Sequence, residues 1–210
     1  LKRVEFDGIT LQVPASVYAP REDSFLLAEA VKKFAKGKFL EVGTGSGLSA
    51  IVAARKKQVE SVTAVDSSAS ALKTAAKNSA ANGVSAKIVF RKSDLFSAVK
   101  QKFDCIAFNP PYLPSESADK TRGPLKRAWE GGATGRVVLD RFLREFSAHL
   151  KPTGVLLLLN SSLSSSRQEG DGNEETRAAL EKLGFKARVV GKQDFFFEHL
   201  VVFKVVKQND

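Results

Sequence analysis

The chain contains no methionine, one cysteine, one tryptophan and two histidines in 210 residues. A single thiol, Cys105, excludes an internal disulfide and a cysteine-built zinc cluster, and no metal site is expected. Within FDCIAF it reads as a small buried hydrophobe. Long apolar runs are also missing. The longest, VLLLL at 155–159, has strand length, whereas a membrane-spanning helix needs roughly 20 apolar residues. No secretory signal is recognisable, so the cytoplasm is the expected compartment. Acidic residues are in deficit, 23 against 33 Lys and Arg, for a formal charge of +10. That excess suits RNA, ribosome-associated machinery or an acidic protein as partner. It suits a solvated lysine-rich surface equally well, because the lysines are scattered. His149 and His199 lie near no candidate site in sequence, and neither is assigned a catalytic role.

What is present alternates. ITLQVPASVY at 9–18 reads as an extended segment or hairpin with Pro14 in its turn, and Pro20 opens a helix over 21–35. Strands follow at 39–42, 61–65, 87–90, 103–108 and 155–159, with helices at 48–57, 68–82 and 135–150 between them. Asn173 reads as the cap of a helix through 183, and two adjacent β-rich runs, 185–190 and 200–206, close the chain. This order predicts a single α/β domain over 1–210, with an N-terminal extended segment and helix over 1–35 and a core over 36–210. The sheet is expected to be mostly parallel and seven-stranded, ending in an antiparallel hairpin, with helices on both faces. Two long loops stand out. Residues 110–134 read as functional, and the polar SSLSSSRQEGDG at 161–172 as mobile.

The first strand runs into LEVGTGSG at 40–47. Gly43, Gly45 and Gly47 allow a sharp turn at a helix N-terminus and let a ligand approach the backbone. The spacing is GxGxG, one residue short of the dinucleotide fingerprint, so pyrophosphate is not the natural occupant. Asp66 ends the second strand, where a carboxylate can accept from two ribose hydroxyls. Asp94 follows the third and can take an adenine amino group, and Glu41 places an ammonium-binding carboxylate beside the glycines. Adenosine plus an α-amino group describes S-adenosyl-L-methionine. Each residue alone is commonly a cap or turn residue; together they outline one site.

The fourth strand stops at NPPY, residues 109–112. Asn109 offers a donor and an acceptor, Pro110 and Pro111 fix the exit angle, and Tyr112 offers a flat face for stacking. Such a group can hold a planar –NH2 through its hydrogens, returning electron density to a nitrogen that is otherwise a poor nucleophile. The plain alternative is a rigid strand exit.

In order along the chain, YAPREDSFLL, LEVGTGSG, AVD, SDLF, FNPPYLP and AWEGGATGRVVLDRFL resemble class I S-adenosylmethionine-dependent methyltransferases. More narrowly they resemble the HemK/PrmC family of protein glutamine N5-methyltransferases, in its compact archaeal and eukaryotic branch. The resemblance implies a Rossmann-like methyltransferase fold, with Ser24 bordering the cofactor and Glu41 and Gly43 contacting its methionyl part. It puts Asp66 on the ribose, and Asp94 with the Leu95 backbone on the adenine. Asn109, the adjoining Pro110–Pro111 backbone and Tyr112 would seat the substrate amide, with Trp129 on the substrate side. It implies as substrate the Gly-Gly-Gln glutamine of a class I release factor, and as partner a small zinc-binding activator along a sheet edge. Protein lysine is a further acceptor in some relatives. Two rivals stay open: a nucleic-acid methyltransferase acting on an exocyclic base amine, which NPPY serves about as well, and a cofactor-binding module without turnover.

Overall fold

The computed structural model describes residues 1–115, 129–167 and 169–208. The chain begins with a hairpin, β1 (Lys2–Phe6) against β2 (Ile9–Val13), paired so that Phe6 faces Ile9. Its turn is Asp7-Gly8, both at positive φ (46° and 70°), the geometry that matches strand twist in a two-residue loop. The hairpin's turn is therefore here and not at Pro14, where the sequence places it. Pro14 follows β2, where its carbonyl accepts from Val17 N–H at 3.0 Å.

Helix α1 (Glu22–Phe34) carries Glu22 and Asp23 in its first turn and Lys32 and Lys33 in its last, each sign opposing the local end of the helix dipole. There follow β3 (Gly37–Val42), α2 (Leu48–Arg55), β4 (Val59–Asp66), α3 (Ala69–Ala81), β5 (Ile88–Lys92) and β6 (Phe103–Phe108). The remainder is α4 (Val137–His149), β7 (Leu150–Ser161), α5 (Gly172–Lys182), β8 (Phe185–Asp194) and β9 (His199–Lys207). Seven of these strands form one sheet in the order β5-β4-β3-β6-β7-β9-β8, parallel as far as β7, with β9 antiparallel to both of its neighbours.

Both faces are covered, so the central strands bury apolar residues on both sides. In β6, Cys105 and Ala107 face the layer containing α1 and α2, while Ile106 and Phe108 face α4 and α5. Phe142 of α4 packs on Phe108 at 4.5 Å between ring centres and on Phe96 at 5.3 Å. His149, on the same helix, stacks on Phe96 at 4.5 Å, which gives it a packing role.

The strand order reverses between β3 and β6, the topological switch point at which open α/β sheets bind ligands. Val42 pairs with Phe108, so Gly43 and Asn109 leave the sheet side by side. The N-terminal hairpin is tied in beneath: Asn78 accepts from Gln12 N–H at 2.9 Å and donates to the Ser46 carbonyl at 2.9 Å.

Two further expectations need correction. Asp171, not Asn173, caps α5, accepting from Asn173 N–H at 2.7 Å. Asn173 is buried, with its side chain spanning Asn160 and the His199 carbonyl. The polar loop after β7 reads as mobile, yet among its described residues part packs inward. Ser164 is fully buried, its carbonyl accepts from Arg136 at 3.0 Å, and Glu175 engages Ser165 and Ser166. Of the loop expected to be functional, 116–128 lies outside the described residues. No helix among the described residues is long and apolar enough to cross a membrane.

Candidate active site

At the end of β3 the chain turns through Gly43, Gly45 and Gly47, at φ 67°, 54° and 89°. Gly47 is constrained from two sides: its backbone is left-handed, and a Cβ there would lie 3.0 Å from that of Ala75. A Cβ at Gly45 would meet nothing within 4 Å, so the turn is open above that residue. Asp66 reaches across from β4. Its two oxygens accept from Gly45 N–H at 2.9 Å and Ser68 N–H at 2.8 Å, and burial pushes its carboxyl above the ordinary range. Glu41 lies under the turn, accepting from Thr44 Oγ1 at 2.5 Å and Ala50 N–H at 3.0 Å. Its burial, resisted by these hydrogen bonds, pushes it up to about 7.

Past β5, Asp94 is largely solvent-facing and pairs with Arg141 at 2.9 Å. Leu95 beside it is buried at φ 46°, a left-handed conformation that costs a leucine roughly 1–2 kcal/mol and is held here by Ser93 Oγ donating to its carbonyl at 2.8 Å. Such strain concentrates where backbone geometry is needed for a ligand.

The NPPY segment closes the other half of the crevice. Asn109 Nδ2 donates to Asp23 Oδ2 at 2.8 Å. Asp23 is only 5% exposed, and its other oxygen accepts from Tyr18 Oη at 2.8 Å and Ser24 Oγ at 3.2 Å. A carboxylate only accepts, so the amide nitrogen of Asn109 must face it and the amide oxygen must face away. That oxygen is buried with no hydrogen-bond partner among the described residues. Asn109 lines a cavity of about 30 Å³ together with Tyr18, Asp23, Pro111, Tyr112 and Trp129 among others, room for about one water-sized group. Trp129 Nε1 is likewise buried without a partner. The indole is held edge-on to Tyr18 at 4.8 Å, with the Arg21 guanidinium 5.3 Å from its ring centre. A buried acceptor and a buried donor, both unpaired, thus border one small cavity.

The WEGG segment is locked onto NPPY through its backbone. Leu113 N–H donates to the Trp129 carbonyl at 3.0 Å, and Gly131 N–H to that of Leu113 at 2.9 Å. A Cβ on Gly135 would fall 2.2 Å from the Tyr112 carbonyl oxygen, so that glycine permits the approach. Burial, then Asp23, Glu198 and Glu22, push the Tyr112 phenol up, while Arg21 opposes them. Among the described residues, Asp23, Glu198 and Glu22 thus lie close enough to act on the Tyr112 phenol, against Arg21.

The switch point brings Ser24, Glu41, Gly43, Gly45, Asp66 and Asn109–Tyr112 to one edge of the sheet, with Trp129 facing the same cavity as Asn109. Asp94 lies at that edge too, but its carboxylate is engaged by Arg141. Sequence reasoning missed Asp23, Tyr18 and Glu198. The only signal was the position of Asp23 beside Ser24, in the first turn of α1. No group of three or more His, Cys, Asp or Glu among the described residues could hold a metal ion.

Residues 16–123 match the family model described as the methyltransferase small domain. A protein of Methanocaldococcus jannaschii, described as a candidate protein N5-glutamine methyltransferase, is 40% identical over 199 residues, 95% of this chain and 96% of its own length. The release factor glutamine methyltransferase of Koribacter versatilis is 38% identical over 165 residues, covering 73% of this chain and 58% of that protein, so the chain spans little more than half of it. Among solved structures, the E. cuniculi Mtq2–Trm112 complex responsible for methylation of the translation termination factor eRF1 aligns at TM-score 0.67 and 25% identity, over 92% of this chain and 99% of the other. M. jannaschii Trm5 in complex with adenosine aligns at TM-score 0.67 and 18% identity, over 99% of this chain and 56% of that one, a likeness of fold alone.

Proposed function

This chain belongs to the methyltransferase small-domain family, and from that membership we propose that it transfers a methyl group from S-adenosyl-L-methionine to the side-chain nitrogen of a protein glutamine, that of the Gly-Gly-Gln motif in a class I peptide release factor. The observation that carries the acceptor is the unpaired, buried Asn109 Oδ1 at a cavity too small for more than the end of a side chain. An amide –NH2 has the hydrogen that this oxygen lacks, and Trp129 Nε1 supplies a donor to match the amide carbonyl. Pro110 and Pro111 hold the strand exit rigid, and Tyr112 packs at the same cavity.

The residues of the glycine turn fit the cofactor. Open space over Gly45, the Asp66 carboxylate, Ser24 and the Leu95 backbone suit adenosine, and Glu41 beside Gly43 suits an ammonium. When bound, the cofactor supplies a methyl group on a sulfonium sulfur, open to in-line displacement by nitrogen. The chain's own part is to orient the amide, accept hydrogen bonds from its N–H groups and exclude water, so that the nitrogen lone pair is available at the right angle.

Glu41 makes the cofactor step pH-dependent. Its folded value of about 7 lies above the ordinary 4.5, so the folded chain retains this proton across that window, and the carboxyl's contribution to stability is lost as pH rises through 7. An ammonium ligand needs the ionised form and is itself protonated only below about 8. Cofactor affinity is therefore expected to rise up to about tenfold per pH unit below 7, and to peak between about 7 and 8. Calorimetric titration from pH 5.5 to 9 checks this, and Glu41→Gln should flatten the acidic limb.

The partner is expected to be a small protein of the Trm112 kind, docking along an edge of the sheet such as β5. Any zinc belongs to that partner, given the single cysteine here. The charge of +10 favours nucleic acid as a second reading; the acidic carboxylates about the cavity weigh against a polyanion entering it. The deciding experiment combines labelled cofactor with a Gly-Gly-Gln release factor or total RNA, with and without such a partner. Label in the release factor, lost when the motif glutamine is replaced, is expected; label in RNA alone overturns the reading.

A further inference from the structure

Three consecutive phenylalanines, Phe195–Phe197, form the tip between β8 and β9 and are 40%, 91% and 82% exposed. Aromatic area of this size is costly to leave in water and marks a contact surface when it is contiguous. Phe196 and Phe197 meet edge to face at 4.5 Å, so they present one patch. The tip is also fixed. Phe195 N–H donates to the Glu198 carbonyl at 2.8 Å, Asp194 pairs with His199 at 2.7 Å, and His199 and Ser162 exchange hydrogen bonds at 3.0 and 2.9 Å.

Register places the patch. Phe108 pairs with Leu158 on β7, and Ser161 at the end of β7 pairs with Leu200 on β9. The tip therefore emerges from the same edge of the sheet as Asn109, two strands along, roughly 10 Å to the side. Glu198 links the two regions: it accepts from Ser161 Oγ at 2.6 Å, and its charge acts on Tyr112 in the cavity.

We propose that Phe195–Phe197 are the docking element for the folded protein that carries the acceptor glutamine, an inference that rests on the function proposed above. The cavity takes only an amide end, so the rest of a macromolecular substrate must lie against the outer surface at this edge. Bases could stack on phenylalanine, but the nearest cation along the chain, Lys192, is paired with Asp194 at 3.1 Å and Glu198 adds a carboxylate beside the patch, so among the described residues the tip offers a phosphate backbone no unpaired cation. The matching partner surface is an apolar patch bordered by Lys or Arg, close to a loop that presents the glutamine.

The test compares wild type with Phe196→Ser/Phe197→Ser, using a folded release factor and a short Gly-Gly-Gln peptide, both with the Trm112-type partner added. On the folded protein kcat/KM should fall about 30-fold, chiefly through KM, while on the peptide it should change less than about twofold. Val189→Ser, an exposed residue on β8 away from the tip, should leave both unchanged. Equal rates for the double variant and wild type on the protein overturn docking, as does an equal loss on the peptide or in Val189→Ser. A variant whose only change is the oligomeric mass assigns the patch to a second copy and overturns it too. If wild type labels neither protein nor peptide, it is the glutamine reading that fails.

Discussion

Asn109→Ala should lower methyl transfer by about 10²–10³-fold while leaving the fold intact, the range typical for loss of one preorganised polar contact to a reacting group. The argument rests on the asymmetry of this amide. Its nitrogen is committed to Asp23 at 2.8 Å, and its oxygen is buried with nothing to accept from. An alanine there removes the only part of the side chain that can touch an acceptor nitrogen, so the loss should fall on kcat more than on KM. Asn109→Asp is the informative companion. It sets two carboxyls at hydrogen-bond distance, and like charges so placed share a proton, raising the apparent pKa of the pair. With that proton shared, the introduced carboxyl still turns an oxygen to the cavity. Activity should therefore persist on the acid side and disappear as pH rises and the pair loses its proton. Asn109→Ala should be inactive throughout. Single-turnover rates across pH check both; an alanine variant within about threefold of wild type would remove Asn109 from the chemistry.

The parts of this molecule that could be read from the residues are those whose signals are local. Each buried parallel strand appears as a short apolar run, and each run stops on a polar or glycine residue: Val42 before Gly43, Val65 before Asp66, Phe108 before Asn109. The sheet's alternation and its closing hairpin follow from that spacing. The N-terminal hairpin was misplaced because Pro14 drew the turn, although Asp7-Gly8, the stronger hairpin signal, stood upstream. The cap of α5 was displaced by two residues because Asp171 and Asn173 are both competent, and the choice between them is tertiary: Asn173 is needed beneath β7 and β9.

The site was less complete in the sequence for a related reason. Glycines and strand-end carboxylates announce themselves by position, whereas Asp23 becomes significant only when a residue 86 positions away folds against it. The loop after β7 illustrates the same limit. Its composition, rich in serine and glycine, is that of a mobile segment, but Arg136 is buried beneath it, with Asp140 at 2.9 Å, Glu175 at 3.2 Å and the Ser164 carbonyl as its partners. One buried guanidinium organises a stretch that composition alone leaves shapeless.

Asp23 itself gives the second large effect. It borders the cavity and holds Asn109 Nδ2, and so decides which end of that amide faces the substrate. Without it, the Asn109 amide can invert, turning a donor toward an acceptor nitrogen that itself carries hydrogens. Asp23→Leu should lower kcat about 100-fold, with cofactor affinity changed less than about threefold, and should cost about 1–3 kcal/mol of stability through the unpaired Tyr18 hydroxyl and Asn109 nitrogen. Asp23→Asn should retain much more activity. Its oxygen can still accept from Asn109, while its nitrogen donates to the hydroxyls of Tyr18 and Ser24, which can accept as well as donate. A residue that merely fills space would give the opposite ranking, since leucine packs better than asparagine in a buried site. Thermal unfolding, cofactor titration and kcat on the three proteins separate the outcomes. Equal kcat for the leucine and asparagine variants would show that Asp23 acts through packing and not by orienting the amide.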